Sequence, residues 1–284
     1  MFKYFYLLVL FLFLETGLGI SVVQAQTTTP NQLPNLVVWL RADSVVKDLS
    51  NHVSSWVNCV GDSNFNQINP AKQPLWVDNI WNGKPVVRFN GTSSFLSAGD
   101  NYDVGVNSRT VFLVAKVNNN SAYTIYAKSN ASGGNDRFGF QNDGNSSGLY
   151  SFYVVTSTNY SLLYLNRSPT TANIWGDVAD RNSQQIRIYQ NGALSASMAG
   201  PASGYSFDNP FRFLLGAYNG PGDTSTTRYL NGDIAEMIIY SNTLPDSSRN
   251  QIEKYLRFKY APQINLGPDI VQNYGFCPVK LRAG

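Results

Sequence analysis

Short runs of alternating apolar and polar residues, separated by turn residues, constrain the fold of this chain more than any other feature. The clearest runs are 37–40, 86–89, 110–117, 123–128, 150–155, 186–189, 211–215 and 234–240. Asn-Gly, which tolerates the positive φ angles of a type I′ hairpin turn, begins at Asn82, Asn90, Asn191, Asn219 and Asn231. Many strands without intervening helices predict an all-β fold, a two-sheet antiparallel β-sandwich of the jelly-roll kind.

One helix is predicted after the last of these runs. Asp246 can cap free N–H groups at the helix start, and the apolar residues between Ile252 and Tyr260 follow 3–4 spacing on a single stripe. The helix is expected to end before Ala261. The fold class is therefore a β-sandwich with one C-terminal helix.

The N-terminal residues 1–25 have the pattern of a secretory signal peptide. Lys3 precedes an apolar run over 5–14, and small residues lie at the −3 and −1 positions of a cut after Ala25. The alternative is a membrane anchor, but Glu15 interrupts a run that is short for a span of about 20 residues. We expect a secreted, extracellular or cell-surface protein with no membrane span in the mature chain.

The remainder of the chain divides into a linker at 26–33, one large domain at 34–260, and a different segment at 261–284. The net charge of +3, with only 14% charged residues, is too small to predict a nucleic-acid partner. Cys59 and Cys277 are too few for a disulfide framework, and Cys59 is expected to be buried.

Asp233 and Glu236 lie three residues apart in the last run, and paired carboxylates are the catalytic groups of many glycosidases. In a regular strand such residues point to opposite faces, ~10 Å apart along the chain. Glycosidases need carboxyl groups ~5 Å or roughly 6.5–9.5 Å apart on a shared cleft. We therefore predict that both residues are structural and that none is catalytic. The alternative is a glycoside hydrolase acting on a polysaccharide, with acids drawn from Asp143, Asp177 or Asp180.

Four segments, in order, resemble laminin-G-like domains of the concanavalin A-like lectin/glucanase superfamily in secreted bacterial proteins. They are "LPNLVVWLRAD", "NGKPVVRFNGTSSFL", "TVFLVAKV" and "YLNGDIAEMIIYSNTL". The resemblance covers 34–260 and implies a jelly roll whose closing helix packs near the start of the domain, with Glu236 in a structural role. The tail 261–284 is similar to the incomplete start of a PKD- or Ig-like module, in which Cys277 would find its partner.

Calcium is the one cofactor that the sequence leaves open. Hard cations need clustered oxygen ligands, and Asp100, Asp103 and Asp136 lie in Asn/Asp/Gly-rich stretches that could supply them. The alternative is that these stretches are ordinary turns. His52 is the only histidine, which excludes a multi-histidine metal site.

Sugar binding requires aromatic rings beside polar groups, because sugars present apolar C–H faces and hydroxyl edges. The loop 216–232 contains that mixture in Tyr218, Asn219, Asp223, Arg228 and Tyr229. The Asn-rich stretch 118–147 is a second candidate, and solvated hairpin loops are the alternative for both.

Together these features predict a secreted or cell-surface, non-catalytic, lectin-like module that binds carbohydrate or mediates adhesion. Its expected partners are a glycan or surface glycoprotein and the other domains of a longer surface protein, with weak affinity raised by multivalent display. The alternatives are the glycoside hydrolase named above and a structural spacer domain.

Overall fold

The computed structural model describes residues 28–61, 63–103, 105–119, 121–129, 137–142, 144, 148–154, 159–165, 170–200 and 204–261. The predicted signal peptide and the predicted PKD- or Ig-like segment after Ala261 lie outside these residues. So do Asp136, Asp143 and Cys277. Those predictions stay predictions.

Strands dominate the described chain, which also contains one α-helix and three single-turn 3-10 helices at Pro30–Gln32, Pro70–Lys72 and Pro221–Asp223. The strands and the helix are β1 (Leu36–Lys47), β2 (Val53–Asn58), β3 (Phe65–Asn66), β4 (Leu75–Trp81), β5 (Lys84–Asn90), β6 (Leu96–Ser97), β7 (Arg109–Val117), β8 (Tyr123–Lys128), β9 (Arg137–Asn142), β10 (Leu149–Val154), β11 (Tyr160–Tyr164), β12 (Asn173–Asp180), β13 (Gln185–Gln190), β14 (Ala193–Ala199), β15 (Phe213–Leu215), β16 (Tyr218–Asn219), β17 (Thr226–Thr227), β18 (Asn231–Tyr240) and α1 (Asp246–Tyr260).

Sixteen strands form one antiparallel sheet that curls nearly closed. Its order is β11-β10-β9-β8-β15-β6-β3-β2-β1-β18-β7-β12-β13-β14, with β5 on β18 and β4 on β5. The end strands β11 and β14 meet where the Ser161 hydroxyl donates to the Ala199 carbonyl at 2.8 Å. The predicted all-β jelly roll with one C-terminal helix is therefore confirmed, with its two layers continuous through β6, β3 and β2.

The main core lies between a front layer (β15 and β8–β11) and a back layer (β1, β18, β7 and β12–β14). Large side chains from both layers meet there, as where the Phe140 ring packs edge-on against Trp175 with centroids 5.6 Å apart. Such aromatic pairs contribute more than their buried area alone. The front and back layers therefore hold each other through aromatic contacts across the core.

Two of the five Asn-Gly pairs form hairpin turns of the expected kind. Asn82-Gly83 joins β4 to β5 with φ angles of 50° and 70°, and Asn191-Gly192 joins β13 to β14 with 52° and 87°. Positive φ at both central residues is the requirement of a type I′ turn. The Asn231-Gly232 pair instead lies inside β18, where Gly232 is in close contact with the Lys116 carbonyl on β7.

Helix α1 covers the outer face of the back layer. Ile252 and Leu256 are buried there with residues of β5, β7 and β18, and the Tyr240 hydroxyl on that face donates to the Pro30 carbonyl at 2.8 Å. The helix has the predicted end but begins differently. Asp246 is its first residue and makes no capping hydrogen bond, so the predicted cap is wrong.

A β-bulge in β18 changes the direction of Glu236. Against β7, Ile234 lies opposite Ala115 while Glu236 lies opposite Val114, so β18 carries one extra residue. Ile234 and Met237 consequently both face the main core, although they are three residues apart. Asp233 and Glu236 therefore share the outer, helix-covered face of the back layer, and the prediction of opposite faces is wrong. Regular alternation cannot anticipate an inserted residue.

Cys59 follows β2 and is exposed, so its predicted burial is also wrong. Strand β2 ends at the buried residue Asn58, and the chain turns toward solvent at the next residue.

Candidate functional site

The front layer carries apolar side chains on both of its faces. Because residues alternate along a strand, Leu149 and Tyr153 of β10 point into the main core, while Tyr150, Phe152 and Val154 point away from it. A strand face that meets only water is normally polar. The outward apolar residues of β10 therefore indicate a surface that is covered by other parts of the protein or that binds a ligand.

This outer surface forms one wall of an open cleft of about 310 Å³, here called the outer cleft. Its apolar wall is formed by strands β10 and β11 together with β16, through Tyr150, Phe152, Val154, Leu162 and Tyr218. Ring centroids of Phe152 and Tyr218 are 6.2 Å apart, and those of Tyr150 and Phe152 are 6.1 Å apart. The rings form a continuous row and are nearly buried.

The polar lining of the outer cleft consists of Arg137, Gln141, Thr227 and Arg228. The Gln141 amide is held in place, since its Nε2 donates to the Tyr150 hydroxyl at 2.6 Å and its Oε1 accepts from the Thr124 hydroxyl at 3.1 Å. A few fixed polar groups on an apolar wall are typical of small-molecule sites.

Both arginines of the outer cleft contact one tyrosine. The Arg228 guanidinium carbon lies 5.3 Å from the centroid of the Tyr218 ring, a cation–π distance. Arg137 Nη1 donates to the Tyr218 hydroxyl at 3.4 Å, and that hydroxyl also bonds Ser129 Oγ. Tyr218 thus brings two positive charges to the same wall of the cleft.

Of the five predicted binding residues, the structure brings only Tyr218 and Arg228 into the outer cleft. Asp223 forms an ion pair with Arg212 at 2.9 Å, and Asn219 Nδ2 donates to the Arg212 carbonyl at 2.7 Å. Tyr229 bonds the Thr226 hydroxyl beside a separate small apolar cluster. These three residues shape the loop and do not line the cleft.

Tyr150 and Phe152 were not identified from the sequence, and Arg137 and Gln141 were included only as part of the second candidate stretch 118–147. The available signal was the apolar pattern on both faces of β10. It indicates that the face pointing away from the core packs against other residues or a ligand. Gln141 and Arg137 on β9 share that face because they alternate with core residues Phe138 and Phe140. No local pattern shows that β9 and β10 lie next to the loop carrying Tyr218.

The predicted calcium ligands Asp100 and Asp103 already have a cation. Lys128 Nζ lies 2.6 Å from Asp100 Oδ1 and 2.9 Å from Asp103 Oδ1, and the Lys128 side chain is fully buried. Within the described ranges, no group of three or more His, Cys, Asp and Glu side chains could hold a metal ion. A calcium site that includes Asp136 stays a prediction.

Glu236 is fully buried and accepts four hydrogen bonds. Trp39 Nε1 and the Tyr255 hydroxyl reach its Oε1 at 2.7 and 3.0 Å, while Lys259 Nζ and the Tyr260 hydroxyl reach its Oε2, both at 2.6 Å. These donors come from β1 and α1, so this carboxylate joins the first strand, the last strand and the helix.

Asp233 shares a face with Glu236 but has different partners. Its two carboxylate oxygens accept from Arg88 Nε at 2.7 Å and Arg88 Nη2 at 2.9 Å, which is a bidentate pair. Each acid is closed off by its own donors. The arrangement suits structural roles for both carboxylates.

Of the acids proposed for a hydrolase, Asp177 and Asp180 have separate partners. Asp177 lies inside the main core, where it accepts from Ser151 Oγ at 2.8 Å and from the Tyr126 hydroxyl. Asp180 pairs with Arg187 at 2.7 Å at the end of the same strand. Asp143 lies outside the described residues.

A second cavity of about 350 Å³ lies on the back layer beside the end of α1. It is lined chiefly by apolar atoms, among them Trp81, Val114 and Ile174. Its lining also includes Tyr260 and Arg257. The outer cleft has three aromatic rings and two arginines where this cavity has two and one, and it is therefore the stronger candidate for a binding site.

Residues 90–248 match the Laminin_G_3 family, described as "Concanavalin A-like lectin/glucanases superfamily". The match covers more than half of the chain. The chain belongs to this superfamily. No curated protein sequence matches the chain significantly.

The fold is also similar to solved structures. The binding domain of Paraclostridial Mosquitocidal Protein 1 aligns at a TM-score of 0.56 and 12% identity, over 78% of this chain and 52% of that chain. Trypanosoma rangeli sialidase in complex with sialic acid aligns at 0.52 and 11% identity, over 81% and 34%. Domain 4 of AbnA, a GH43 extracellular arabinanase from Geobacillus stearothermophilus, in complex with arabinotriose, aligns at 0.50 and 16% identity, over 78% and 97%.

The chain thus spans about half the length of the first of these structures and about a third of the second. At such low identity the likeness shows the fold alone. Among the described residues, no helix has the length and hydrophobicity needed to cross a membrane.

Proposed function

We propose that this protein is a secreted or cell-surface carbohydrate-binding module without catalytic activity, and that the outer cleft is its binding site. The observation that carries the proposal is the row of three aromatic rings flanked by two guanidinium groups and one oriented amide. Such a wall offers apolar surface to the C–H faces of a sugar and hydrogen-bond donors to its hydroxyl groups.

The comparisons support this proposal at the level of the fold. The concanavalin A-like lectin/glucanases superfamily includes lectins by name, and the AbnA domain was solved with arabinotriose bound. The signal-peptide pattern of residues 1–25 supports an extracellular location. An open cleft implies shallow recognition, so we expect weak binding by each module that multivalent display strengthens.

The composition of the outer cleft favours binding over hydrolysis. Glycosidases act through a pair of carboxyl groups on either side of the scissile bond. Among the described residues that line the cleft there is no Asp or Glu. The buried acids Asp177 and Glu236 face other parts of the fold, where neighbouring side chains occupy their oxygens.

A glycan array probed with the purified protein, with and without calcium, tests this function. Titration calorimetry on the glycans that bind should then show that Arg228→Ala weakens binding about tenfold or more, which corresponds to about 1.4 kcal/mol. Arg187→Ala is the matched control, because it removes an arginine from the back layer. Thermal melts check that both variants are folded.

Two outcomes would contradict the proposal. Either no glycan binds, or binding survives Arg228→Ala as well as it survives Arg187→Ala. Turnover of a polysaccharide by the wild-type protein would favour the hydrolase alternative.

A further inference from the structure

We infer that the outer cleft selects sugars that carry a carboxylate, such as uronic or sialic acids, and holds that carboxylate with Arg137 and Arg228. This inference rests on the proposed function and adds the chemical class of the ligand. The shared chemistry is a carboxylate attached to a pyranose ring.

The first observation is an imbalance of charge. Two of the residues lining the outer cleft are arginines, and none of its described lining residues is acidic. Like charges brought together at the wall of a partly apolar cleft repel each other more strongly than in water. An anion bound between them removes that repulsion.

The second observation is that five of the eight other arginines in the described chain have carboxylate partners, while Arg109, Arg181 and Arg257 do not. Arg88 pairs with Asp233 at 2.7 Å, as does Arg187 with Asp180, and Arg212 pairs with Asp223 at 2.9 Å. Across the described part of the chain, neither Arg137 nor Arg228 has an ion pair. A ligand carboxylate would give Arg137 and Arg228 the ion pair that other arginines make within the protein.

The third observation is that the donors of these arginines are largely uncommitted. A guanidinium has five N–H donors in a planar fork. Arg137 uses one of them in a long hydrogen bond of 3.4 Å to Tyr218, and its Nε has no partner among the described residues. Arg228 lies over the Tyr218 ring without a side-chain hydrogen bond inside the described ranges. The Nε of Arg137 is buried, so the remaining Nη donors of the two arginines are the groups that can bind a carboxylate.

The fourth observation is that the backbone holds Arg228 in place. Its carbonyl accepts a hydrogen bond from the Thr124 amide at 2.8 Å. Its φ of 51° lies in the left-handed region that residues other than glycine rarely adopt. The hydrogen bond to Thr124 of β8 therefore anchors Arg228, in the loop before β18, beside the cleft.

Two matched pairs of probes test the inference and distinguish the two sources of the carboxylate. One pair is 3′-sialyllactose and lactose, and the other is trigalacturonate and its methyl ester. We expect at least one acidic member to bind about tenfold or more tightly than its neutral partner in calorimetry at low salt. The acidic member that binds identifies the source.

The preference should depend on both arginines and on ionic strength. Arg137→Gln and Arg228→Gln should each abolish most of it, while Arg187→Gln leaves it unchanged and melting curves show that all three variants are folded. Higher NaCl should weaken binding of the acidic member more than that of the neutral one, since salt screens the ion pair.

Failure of this inference can be told apart from failure of the proposed function. Neutral glycans that bind as tightly as their acidic partners in both pairs, or a preference that survives both Gln variants, would overturn the carboxylate inference and leave carbohydrate binding intact. A glycan array without any bound glycan would overturn both.

Discussion

Replacing Glu236 by Gln tests the structural role of the carboxylate that joins β1, β18 and α1. The substitution keeps the shape of the side chain and removes its charge. Lys259, whose side chain is 14% exposed, then keeps only Asp43 as an ion-pair partner, at 4.0 Å. The new amide NH2 group also faces a hydroxyl or ammonium donor, from which the carboxylate oxygen accepted a hydrogen bond. A buried polar group that loses its partner costs more than the hydrogen bond contributed.

The size of the effect follows from these contacts. Removing one member of a buried ion pair costs about 3–5 kcal/mol. In a domain of this size each kcal/mol lowers Tm by about 2–4 °C. We therefore expect Glu236→Gln to lower Tm by roughly 6–20 °C, without a change in the glycans that the outer cleft binds, because Glu236 lies on the opposite layer.

Scanning calorimetry and urea unfolding followed by tryptophan fluorescence measure this change. A double-mutant cycle with Lys259→Met separates the pair from its surroundings, and the double variant should be less destabilised than the sum of the single variants by about 1–3 kcal/mol. Lys254→Met is the control, since Lys254 is exposed on the same helix and such changes stay within about 0.5 kcal/mol.

A Tm within about 2 °C of the wild type, or free energies that add without coupling, would refute the role assigned to Glu236. A Glu236→Gln variant that keeps its stability but loses hydrolysis of a polysaccharide would show instead that Glu236 is catalytic.

Two further predictions concern the core. Burial raises the pKa of Asp177 above its ordinary value of 3.8, so the folded protein binds this proton more tightly than the unfolded chain does. This contribution to stability is full below about pH 4 and is lost as the pH rises through the raised pKa. In scanning calorimetry, Asp177→Asn should therefore gain stability relative to the wild type between pH 4 and pH 7, and a relative loss would contradict this. Gly232→Ala should destabilise the fold by about 1–3 kcal/mol in urea, because the added Cβ would lie 2.3 Å from the Lys116 carbonyl; an unchanged midpoint would show that β18 can shift away from β7.

The extended runs and the helix could be predicted because their signals are local. The run 123–128 coincides with β8, and the helix ends at Tyr260 as expected. Alternation and turn chemistry act between residues that are close in sequence, so a single sequence carries them. The bulge in β18 could not be predicted, because it arises from how Ile234 and Glu236 pair with β7, more than 100 residues earlier.

The candidate site was only half predictable for the same reason. Tyr218 and Arg228 were found because they share one loop with an evident mixture of rings and polar groups. Asp100 and Asp103 were read as ligands for calcium, but their positions are explained by Lys128, a residue on a separate strand. An ion pair between distant segments has no local sequence signal.

By itself, the sequence determined that this chain forms an all-β fold with one closing helix, since the period of its apolar residues matches strands and fits few other structures. Only the tertiary structure decided which strands are neighbours and what their outward faces meet. That choice placed Arg137 and Gln141 beside Tyr218 and turned Asp233 and Glu236 to one face. The physical reason is that sites are made by contacts between segments far apart in sequence, and those contacts depend on the packing of the whole sheet.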